Sequence, residues 1–514
     1  MSSAVNGEDK FKDFIFILLC TWGLGILVHG YRFYNLIYSM DSMLVFQNDD
    51  PLQFGLGRFM VPLFAQFRGR YYPPSVIGIV SLTFIAVSVY LITRMFDITN
   101  RYLIVAMCAV MATNSLVIAL MSDYICFSDI QLCALVLIVT GVYLTRQYKY
   151  GWLGFIPLCI MSMGLYQAYL QVGVTLFIAL ALYDLARNKE ARKVIAVFLF
   201  QMIVILAAGG LYYLTVNIVN ANVGIPIYED ANSIGAAFKF NGLRDVFGLV
   251  TNMYRECISS VLDQGGNYRY VKGIIIIAVL LSALILLVKY LYNKRTRKIN
   301  SILIIIGLII LPAGMTCVYV VSNGYYHILM RYSHYIVYSL AIAVVDRLIN
   351  RIAIKRIMYS LLVFVVIDNM VAAGNQYIHK DMIYQSTMFN MTRIIDRLEQ
   401  TEGYEPGKPV VFAGDIEHAP LNYERDDYYR MTGSHFYTSL CYYSLYERYF
   451  QKLLGYPIWV LPRDTALEIE RKPEVEMMPV FPAEGCIKQV DDVFVVKISN
   501  VKMEVYGQEQ NETD

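Results

Sequence analysis

The chain has few charged residues and few cysteines, and it lacks a P-loop, a Rossmann fingerprint, repeats and low-complexity tracts. Asp, Glu, Lys and Arg make up 16% of the 514 residues, whereas an ordinary soluble domain carries about 25%. Together with a hydrophobic fraction of 57%, this excludes a purely soluble enzyme, a disordered chain and a collagen-like chain. A net charge of +2 argues against a nucleic-acid-binding surface.

The nine cysteines do not indicate a disulfide framework. Most of them lie in apolar runs, where Cys behaves as a small hydrophobic residue. Cys441 and Cys486 lie outside these runs and could pair, but spacing alone does not establish a disulfide.

Long apolar runs dominate what is present. A membrane-spanning helix needs about 20 mostly apolar residues, and about eleven stretches meet this requirement. They begin near Phe14, Val76, Leu103, Phe127, Trp152, Tyr169, Val194, Gly273, Ile302, Tyr335 and Met358. The first stretch is too long for a signal peptide and lacks a small-residue cleavage site, so we expect a retained span. The predicted fold class is an all-α polytopic membrane protein.

The distribution of Lys and Arg predicts the orientation of these spans. Basic clusters fall in every second gap, around Lys10, Arg94, Arg146, Arg187, Lys294 and Arg347. The short gaps between them are nearly free of Lys and Arg. This alternation places the N-terminus in the cytoplasm and the C-terminus outside.

Two domains are expected from this arrangement. Residues 1–374 form the transmembrane domain, with a first outer loop over residues 31–74. Residues 375–514 have ordinary soluble composition and are expected to form a small α/β or β-rich extracytoplasmic domain. Its short β-like runs begin at Pro409, Ile458 and Val493.

The first outer loop places Asp41, Asp49, Asp50 and Arg58 among large apolar residues. We expect short helices at the membrane surface, which would hold these charges at the lipid–water boundary. A transferase that uses a lipid-linked sugar needs a carboxylate to deprotonate the acceptor hydroxyl. It also needs a cation for the leaving phosphate, and an Arg side chain binds phosphate through two parallel contacts. The alternative is that these are solvated loop charges.

Further polar residues lie at the outer ends of the spans. Asp123 and Asp129 border apolar runs, where an ionisable group usually faces the protein interior or a water-filled cavity. Tyr166 and Gln167 occupy a short outer turn, from which the amide could bind a sugar or a phosphate. Basic residues are nearly absent from the short segments on the predicted outer side. Arg331 is an exception, which suggests that it contacts a phosphate. For each, an ordinary structural role is the alternative.

A metal site is not indicated by the sequence. His327 and His334 have no further acidic or Cys partners nearby in the sequence, which makes a metal site unfavourable. We expect no cofactor, and the sequence leaves open whether a divalent metal is required.

Short motifs in a fixed order connect the chain with a known family. They are MDS at Asp41, GRF at Gly57–Phe59, the SD…D loop after Met121, the YQ turn at Tyr166, and MPVFPAEGCIK from Met478. Together these resemble the bacterial GT-C membrane glycosyltransferases of the O-antigen "glucosyltransferase II" type. The resemblance covers nearly the whole chain.

This resemblance implies a function and a set of site residues. Such enzymes use a polyprenyl-phosphate sugar, typically glucose, on the outer face of the bacterial plasma membrane. They add the sugar to a cell-surface polysaccharide or to its lipid-linked precursor. The essential carboxylate of GT-C enzymes lies in the first outer loop, which points to Asp41, with Asp49 and Asp50 as neighbours. Related sequences often carry two adjacent acids at this position, whereas in this chain Ser42 follows Asp41. The identity of the base therefore stays open.

Two other functions are compatible with parts of the sequence. A polysaccharide polymerase or ligase that uses a diphosphate-linked donor would favour a large, late outer loop with several Arg. Residues 217–272 contain Arg244, Arg255 and Arg269. A flippase or transporter of lipid-linked oligosaccharides would favour charges at mid-membrane and internal repeats, and the sequence shows neither.

Overall fold

The computed structural model describes ten stretches of the chain. They are residues 7–39, 42–43, 50–69, 73–228, 243–262, 269–293, 297–348, 352–415, 419 and 443–503. Asp41, Asp49 and Cys441 lie outside the described residues. Contacts divide the chain into two compact units. Of the described residues, 7–36 and 50–376 belong to the first unit, and 37–39, 42–43, 377–415, 419 and 443–503 belong to the second.

The first unit is built of helices. They are α1 (Gly7–Tyr34), α2 (Asp50–Gly55), α3 (Met60–Arg68), α4 (Pro74–Met95), α5 (Arg101–Thr113), α6 (Ser115–Asp123), α7 (Ile125–Gln147), α8 (Gly151–Leu165), α9 (Leu170–Ala186), α10 (Ala191–Val223), α11 (Leu243–Leu262), α12 (Arg269–Asn293), α13 (Lys298–Met315), α14 (Cys317–Val321) and α15 (Tyr332–Ala343). The long helix α16 (Ile352–Glu399) begins in this unit and continues into the second. Single 3₁₀ turns cover Gln167–Tyr169 and Ile328–Met330, and a π-helical turn covers Val344–Leu348.

The predicted all-α membrane fold is confirmed. Within the described residues, nine helical segments are long and apolar enough to cross a membrane. These segments fall at nine of the predicted span positions. At the other two, near Trp152 and Gly273, lie the shorter apolar helix α8 and the 25-residue helix α12.

The apolar run from Arg101 to Asp123 is divided by Asn114. Its extended backbone, with φ −69° and ψ 164°, ends α5, and its side-chain oxygen accepts from the N–H of Val117 at 3.0 Å to cap α6. The Asn114 amide also donates to the carbonyl oxygens of Val110 and Met111 at 3.1 and 3.0 Å. The break therefore needs few partners from elsewhere for its exposed backbone groups.

Side chains from two distant helices bind further backbone carbonyl groups at the break. His29 Nε2 of α1 lies 2.8 Å from the carbonyl oxygen of Ala112. The Tyr332 hydroxyl of α15 donates to the carbonyl oxygen of Met111 at 3.0 Å. Both side chains are buried, so the interrupted span is fixed against the first and the fifteenth helix.

The second unit contains a four-stranded sheet. Its strands are β1 (Pro409–Ala413), β2 (Trp459–Val460), β3 (Ile487–Val490) and β4 (Val493–Lys497), in the spatial order β2-β1-β4-β3. Strand β1 pairs in parallel with β2 and β4, whereas β3 and β4 form an antiparallel hairpin. Three strands begin at or next to the predicted β-like runs. Strand β3 was not predicted, because its sequence IKQV has two polar central residues.

Alternate residues of β1 and β4 fill two separate cores. Val410 and Phe412 face a cluster that includes Leu398 of α16 and Tyr446, whereas Val411 faces the other side of the sheet. Short helices complete the unit. They are α17 (Tyr446–Arg448), α18 (Arg463–Glu470) and α19 (Pro473–Glu476), with a 3₁₀ turn at Tyr443–Leu445 and a π turn at Tyr449–Leu453.

Candidate functional site

Residues 50–69, within the predicted first outer loop, form two short helices around a tight bend. Helix α2 begins at Asp50 and ends at Gly55, and helix α3 begins at Met60. Between them, Gly57 has a φ of 81°, which a residue with a side chain adopts only with strain. Arg58 follows directly, and its N–H donates to the carbonyl oxygen of Gln53 at 2.8 Å. The bend thus fixes the backbone that carries Arg58.

Four successive carbonyl groups of this bend receive hydrogen bonds from other elements. The donors are Asn220 Nδ2 to Phe54 at 2.9 Å, Tyr228 N to Gly55 at 2.8 Å, Gln167 Nε2 to Leu56 at 2.6 Å and the Tyr212 hydroxyl to Gly57 at 3.0 Å. The last carbonyls of a helix have no partner within the helix, so these donors compensate the end of α2. A Cβ at residue 55 would lie 2.3 Å from the Tyr228 ring, which explains the glycine there.

Gln167 therefore has a structural role that the sequence did not reveal. Its Nε2 also donates to the Tyr212 hydroxyl at 3.0 Å, so both amide hydrogens bind within the protein. A contact between Gln167 and a substrate stays a prediction, and such a contact would use the amide oxygen.

Arg58 lies against Tyr166, its predicted neighbour in the site. The guanidinium carbon is 5.0 Å from the ring centroid, a cation–π geometry. Tyr166 itself is buried, in the extended link between α8 and the following 3₁₀ turn. Among the described residues, no carboxylate forms an ion pair with Arg58, and its buried Nε has no hydrogen-bond partner. Arg58 is thus a cation fixed in position, with an N–H group that has no partner among the described residues.

Asp129 forms an ion pair with Arg68, a residue that sequence analysis did not single out. Arg68 Nη1 lies 2.8 Å from Asp129 Oδ1, which also accepts from the N–H of Ile130 at 3.0 Å. The same guanidinium donates to the carbonyl oxygen of Cys126. The pair joins the end of α3 to the first turns of α7. Nothing in the sequence distinguished Arg68 from the other arginines of the loop.

Asp123 is buried at the end of α6, and polar side chains surround this helix end. Arg32 of α1 donates through Nε to the carbonyl oxygen of Met121 at 3.1 Å. Gln376 of α16 donates to the Ser122 hydroxyl at 3.3 Å. Arg32 is 1% exposed and was missed by sequence analysis. Arg32 could have been found by the signal that marked Arg331, since both are basic residues at the predicted outer end of a span.

Arg331 forms an ion pair with Glu256 of α11. Arg331 Nη2 lies 2.7 Å from Glu256 Oε1, and its guanidinium carbon lies 5.8 Å from the Tyr326 ring centroid. Glu256 lies within residues 217–272, the predicted long outer loop, and was not predicted as a site residue. Glu256 already compensates the charge of Arg331, whereas Arg58 has no acidic partner among the described residues. Arg331 therefore has less net charge than Arg58 with which to attract an anion.

A further buried ion pair joins α12 and α16. Lys272 Nζ lies 2.7 Å from Asp368 Oδ2, and it donates to Asn369 Oδ1 at 2.8 Å. The two charged side chains are 1% and 3% exposed. Removing one partner of a buried pair leaves an uncompensated charge, which costs about 3–5 kcal/mol. The sequence placed Lys272 at the end of a loop and did not indicate this partner.

The structure brings several of the predicted residues together and leaves others outside. Arg58, Tyr166 and Gln167 are in one group around the bend. Asp123 and Asp129 lie on either side of the α6–α7 break at Tyr124, whose ring packs edge-on against His327 at 6.0 Å. This contact links the break to the 326–331 segment that carries Arg331. Asp50 begins α2, and Asp41 and Asp49 lie outside the described residues.

The fold and these charged groups define a polytopic helical membrane protein with a polar site at the ends of its spans. The site includes a positioned arginine, Arg58, in the predicted first outer loop, where helix α2 begins at Asp50. The family Glucosyl transferase GtrII matches residues 30–345, which is more than half of the chain, and the chain belongs to this family. It is therefore a glycosyltransferase, as the resemblance implied. No curated protein and no solved structure matches the chain.

Proposed function

We propose that this enzyme transfers a sugar, glucose by its family, from a polyprenyl-phosphate donor. The acceptor is a cell-surface polysaccharide or its lipid-linked precursor. The reaction occurs on the outer face of the bacterial plasma membrane, with the N-terminus in the cytoplasm and the C-terminal domain outside. The alternation of basic clusters supports this orientation.

One displacement step accounts for the chemistry. A first-loop carboxylate, Asp41 as first choice and Asp49 or Asp50 as second, takes the proton of the acceptor hydroxyl. The acceptor oxygen forms a bond to the anomeric carbon while the bond to the donor phosphate breaks. The electron pair leaves with polyprenyl phosphate, which needs little protonation. The product has inverted configuration, and no covalent sugar–enzyme intermediate forms.

The position of Arg58 is the observation that carries the proposal. Its guanidinium lies against Tyr166, and the carbonyl groups of its bend all accept hydrogen bonds from other elements. Arg58 has no acidic partner among the described residues, and its Nε has no hydrogen-bond partner there. A planar cation prepared in this way can accept a phosphate without first losing an ion pair. Arg331 is a second phosphate ligand in the proposal, and it would share its charge with Glu256. Asp123 and Asp129 shape the surrounding polar site.

Isosteric variants of the acidic residues test the proposal. Asp41→Asn, Asp49→Asn and Asp50→Asn are compared in membranes supplied with polyprenyl-phosphate glucose and the acceptor glycan. Loss of a general base typically slows a reaction about 10²–10⁴-fold, and we expect this for one of the three. Asp97→Asn is the matched control, because Asp97 is a solvent-exposed acid with a φ of 54°, a conformation that Asn tolerates.

Glycan analysis of cells separates the proposal from its alternatives. A missing side-branch hexose on an intact backbone supports the transferase with this acceptor. A shortened backbone would indicate a polymerase instead. Normal turnover in all three loop variants would exclude the first-loop mechanism.

A further inference from the structure

A cavity lies at the opposite end of α7 from the site described above. Its volume is about 310 Å³, within the usual range for ligand pockets. It is bounded by the α7–α8 turn and by the facing sides of α9 and α10. Its lining includes Arg146, Lys149, Gln201, Trp152, Phe177 and Phe200.

The distance along α7 separates this cavity from the polar site. Asp129 lies near the start of α7 and Arg146 near its end. At 1.5 Å per residue, they are about 25 Å apart along the helix axis. The cavity therefore belongs to the helix ends that carry basic clusters, at the predicted cytoplasmic face.

The polar part of the cavity is positively charged. Arg146 binds Asp184 through two nitrogen–oxygen contacts of 2.5 and 2.7 Å, and Lys189 Nζ lies 2.8 Å from the same carboxylate. Lys149 forms no ion pair among the described residues, and its Nζ lies 5.3 Å from the Tyr150 ring centroid. Arg146 and Lys149 are the two charged side chains of the lining, and both are positive. Because Asp184 compensates Arg146, Lys149 supplies the uncompensated charge.

The other wall of the cavity is apolar and continues onto an exposed helix face. Trp152 packs edge-on against Phe200, with their ring centroids 6.0 Å apart. Phe200 is 46% exposed, and Val197 beside it in the lining is 56% exposed. Along the same helix, Leu199, Ile203 and Leu206 are also exposed. In a helix apolar enough to span the bilayer, such residues face lipid chains.

We propose that this cavity binds the phosphate headgroup of an anionic phospholipid, with an acyl chain along Phe200. Basic pockets between membrane helices at the cytoplasmic side suit such headgroups, because the anion gains both charge and hydrogen-bond partners. The bound lipid would connect α7, α8 and α10 at the end remote from the sugar-transfer site. This inference does not depend on the identity of the sugar donor.

Native mass spectrometry of the purified full-length protein tests the proposal. Phosphatidylglycerol and phosphatidylcholine with identical acyl chains are titrated separately, and inorganic phosphate forms a third arm. We expect tighter binding of phosphatidylglycerol. Lys149→Gln should weaken that binding about fivefold, which corresponds to about 1 kcal/mol per basic residue. Arg192→Gln is the matched control, since Arg192 is an exposed cation at the start of α10 that does not line the cavity.

Each outcome decides a part of the proposal. Equal binding of the two lipids would overturn the recognition of an anionic headgroup. An equal loss in Lys149→Gln and Arg192→Gln would overturn the assignment to this cavity and would indicate general surface charge. Inorganic phosphate that displaces phosphatidylglycerol completely would show a small-anion site without a lipid chain. Selective loss in Lys149→Gln, with phosphate unable to compete, supports the proposal.

Discussion

The bend that carries Arg58 should open more easily when Tyr212 is replaced by Phe. The Tyr212 hydroxyl donates to the carbonyl oxygen of Gly57 and accepts from Gln167, both at 3.0 Å, and the residue is fully buried. Phe keeps the ring that stacks on Phe59 and removes only the hydroxyl. A buried polar group left without its partner costs about 1–3 kcal/mol. We expect the free energy of opening the bend to fall by about 2 kcal/mol.

Trypsin cleavage after Arg58 measures this opening. When opening and closing are fast, the cleavage rate follows the population of the open form, so about 2 kcal/mol predicts about 30-fold faster cleavage. Tyr169→Phe is the control, because the Tyr169 hydroxyl is buried and makes no hydrogen bond to any described residue. Its cleavage rate should equal that of the wild type. Equal rates for the wild type and Tyr212→Phe would refute the conclusion that α10 holds the bend.

Four further predictions concern charged side chains and the orientation of the chain in the membrane. Arg58→Lys keeps the charge but loses the planar fork, so donor transfer should fall more than in Arg331→Lys; equal losses in a membrane transfer assay would contradict this. Lys272→Met should lower stability by about 3–5 kcal/mol, and a detergent unfolding curve identical to the wild type would exclude a stabilising ion pair with Asp368. Burial raises the pKa of Glu470, so the folded state binds its proton more readily than the unfolded state does. Stability should therefore fall as pH rises from about 4.3 through the folded pKa, and a pH series of thermal unfolding should show this slope lost in Glu470→Gln. A reporter fused after residue 514 should be active only outside the cytoplasm, and cytoplasmic activity would reverse the proposed orientation.

The sequence predicted those features that depend on local patterns. Apolar length located the spans, and alternating β-branched runs located three of the four strands. The division of one span at Asn114 was not predicted, because the flanking residues remain apolar and only the amide side chain marks the break.

The sequence did not predict which charges meet. Glu256 and Arg331 are 75 positions apart, and Lys272 and Asn369 are 97 apart. Such pairs depend on how helices pack, which a single sequence does not encode in any local spacing. The predicted role of Gln167 shows the same limit, since its amide nitrogen donates to Leu56 and Tyr212, which are 111 and 45 positions away in the chain.

The division at Asn114 has a consequence for how the chain is assembled during synthesis. His29 leaves the ribosome before the break does, whereas Tyr332 follows Met111 by 221 residues. At about 5–20 residues per second, this interval lasts about 10–45 s. Throughout that time the Asn114 amide and His29 must satisfy the broken backbone in the bilayer without Tyr332. The early helices can therefore pack around the break before α15 is synthesised. Docking of α15 then adds the hydrogen bond from Tyr332 to a break that Asn114 and His29 already stabilise.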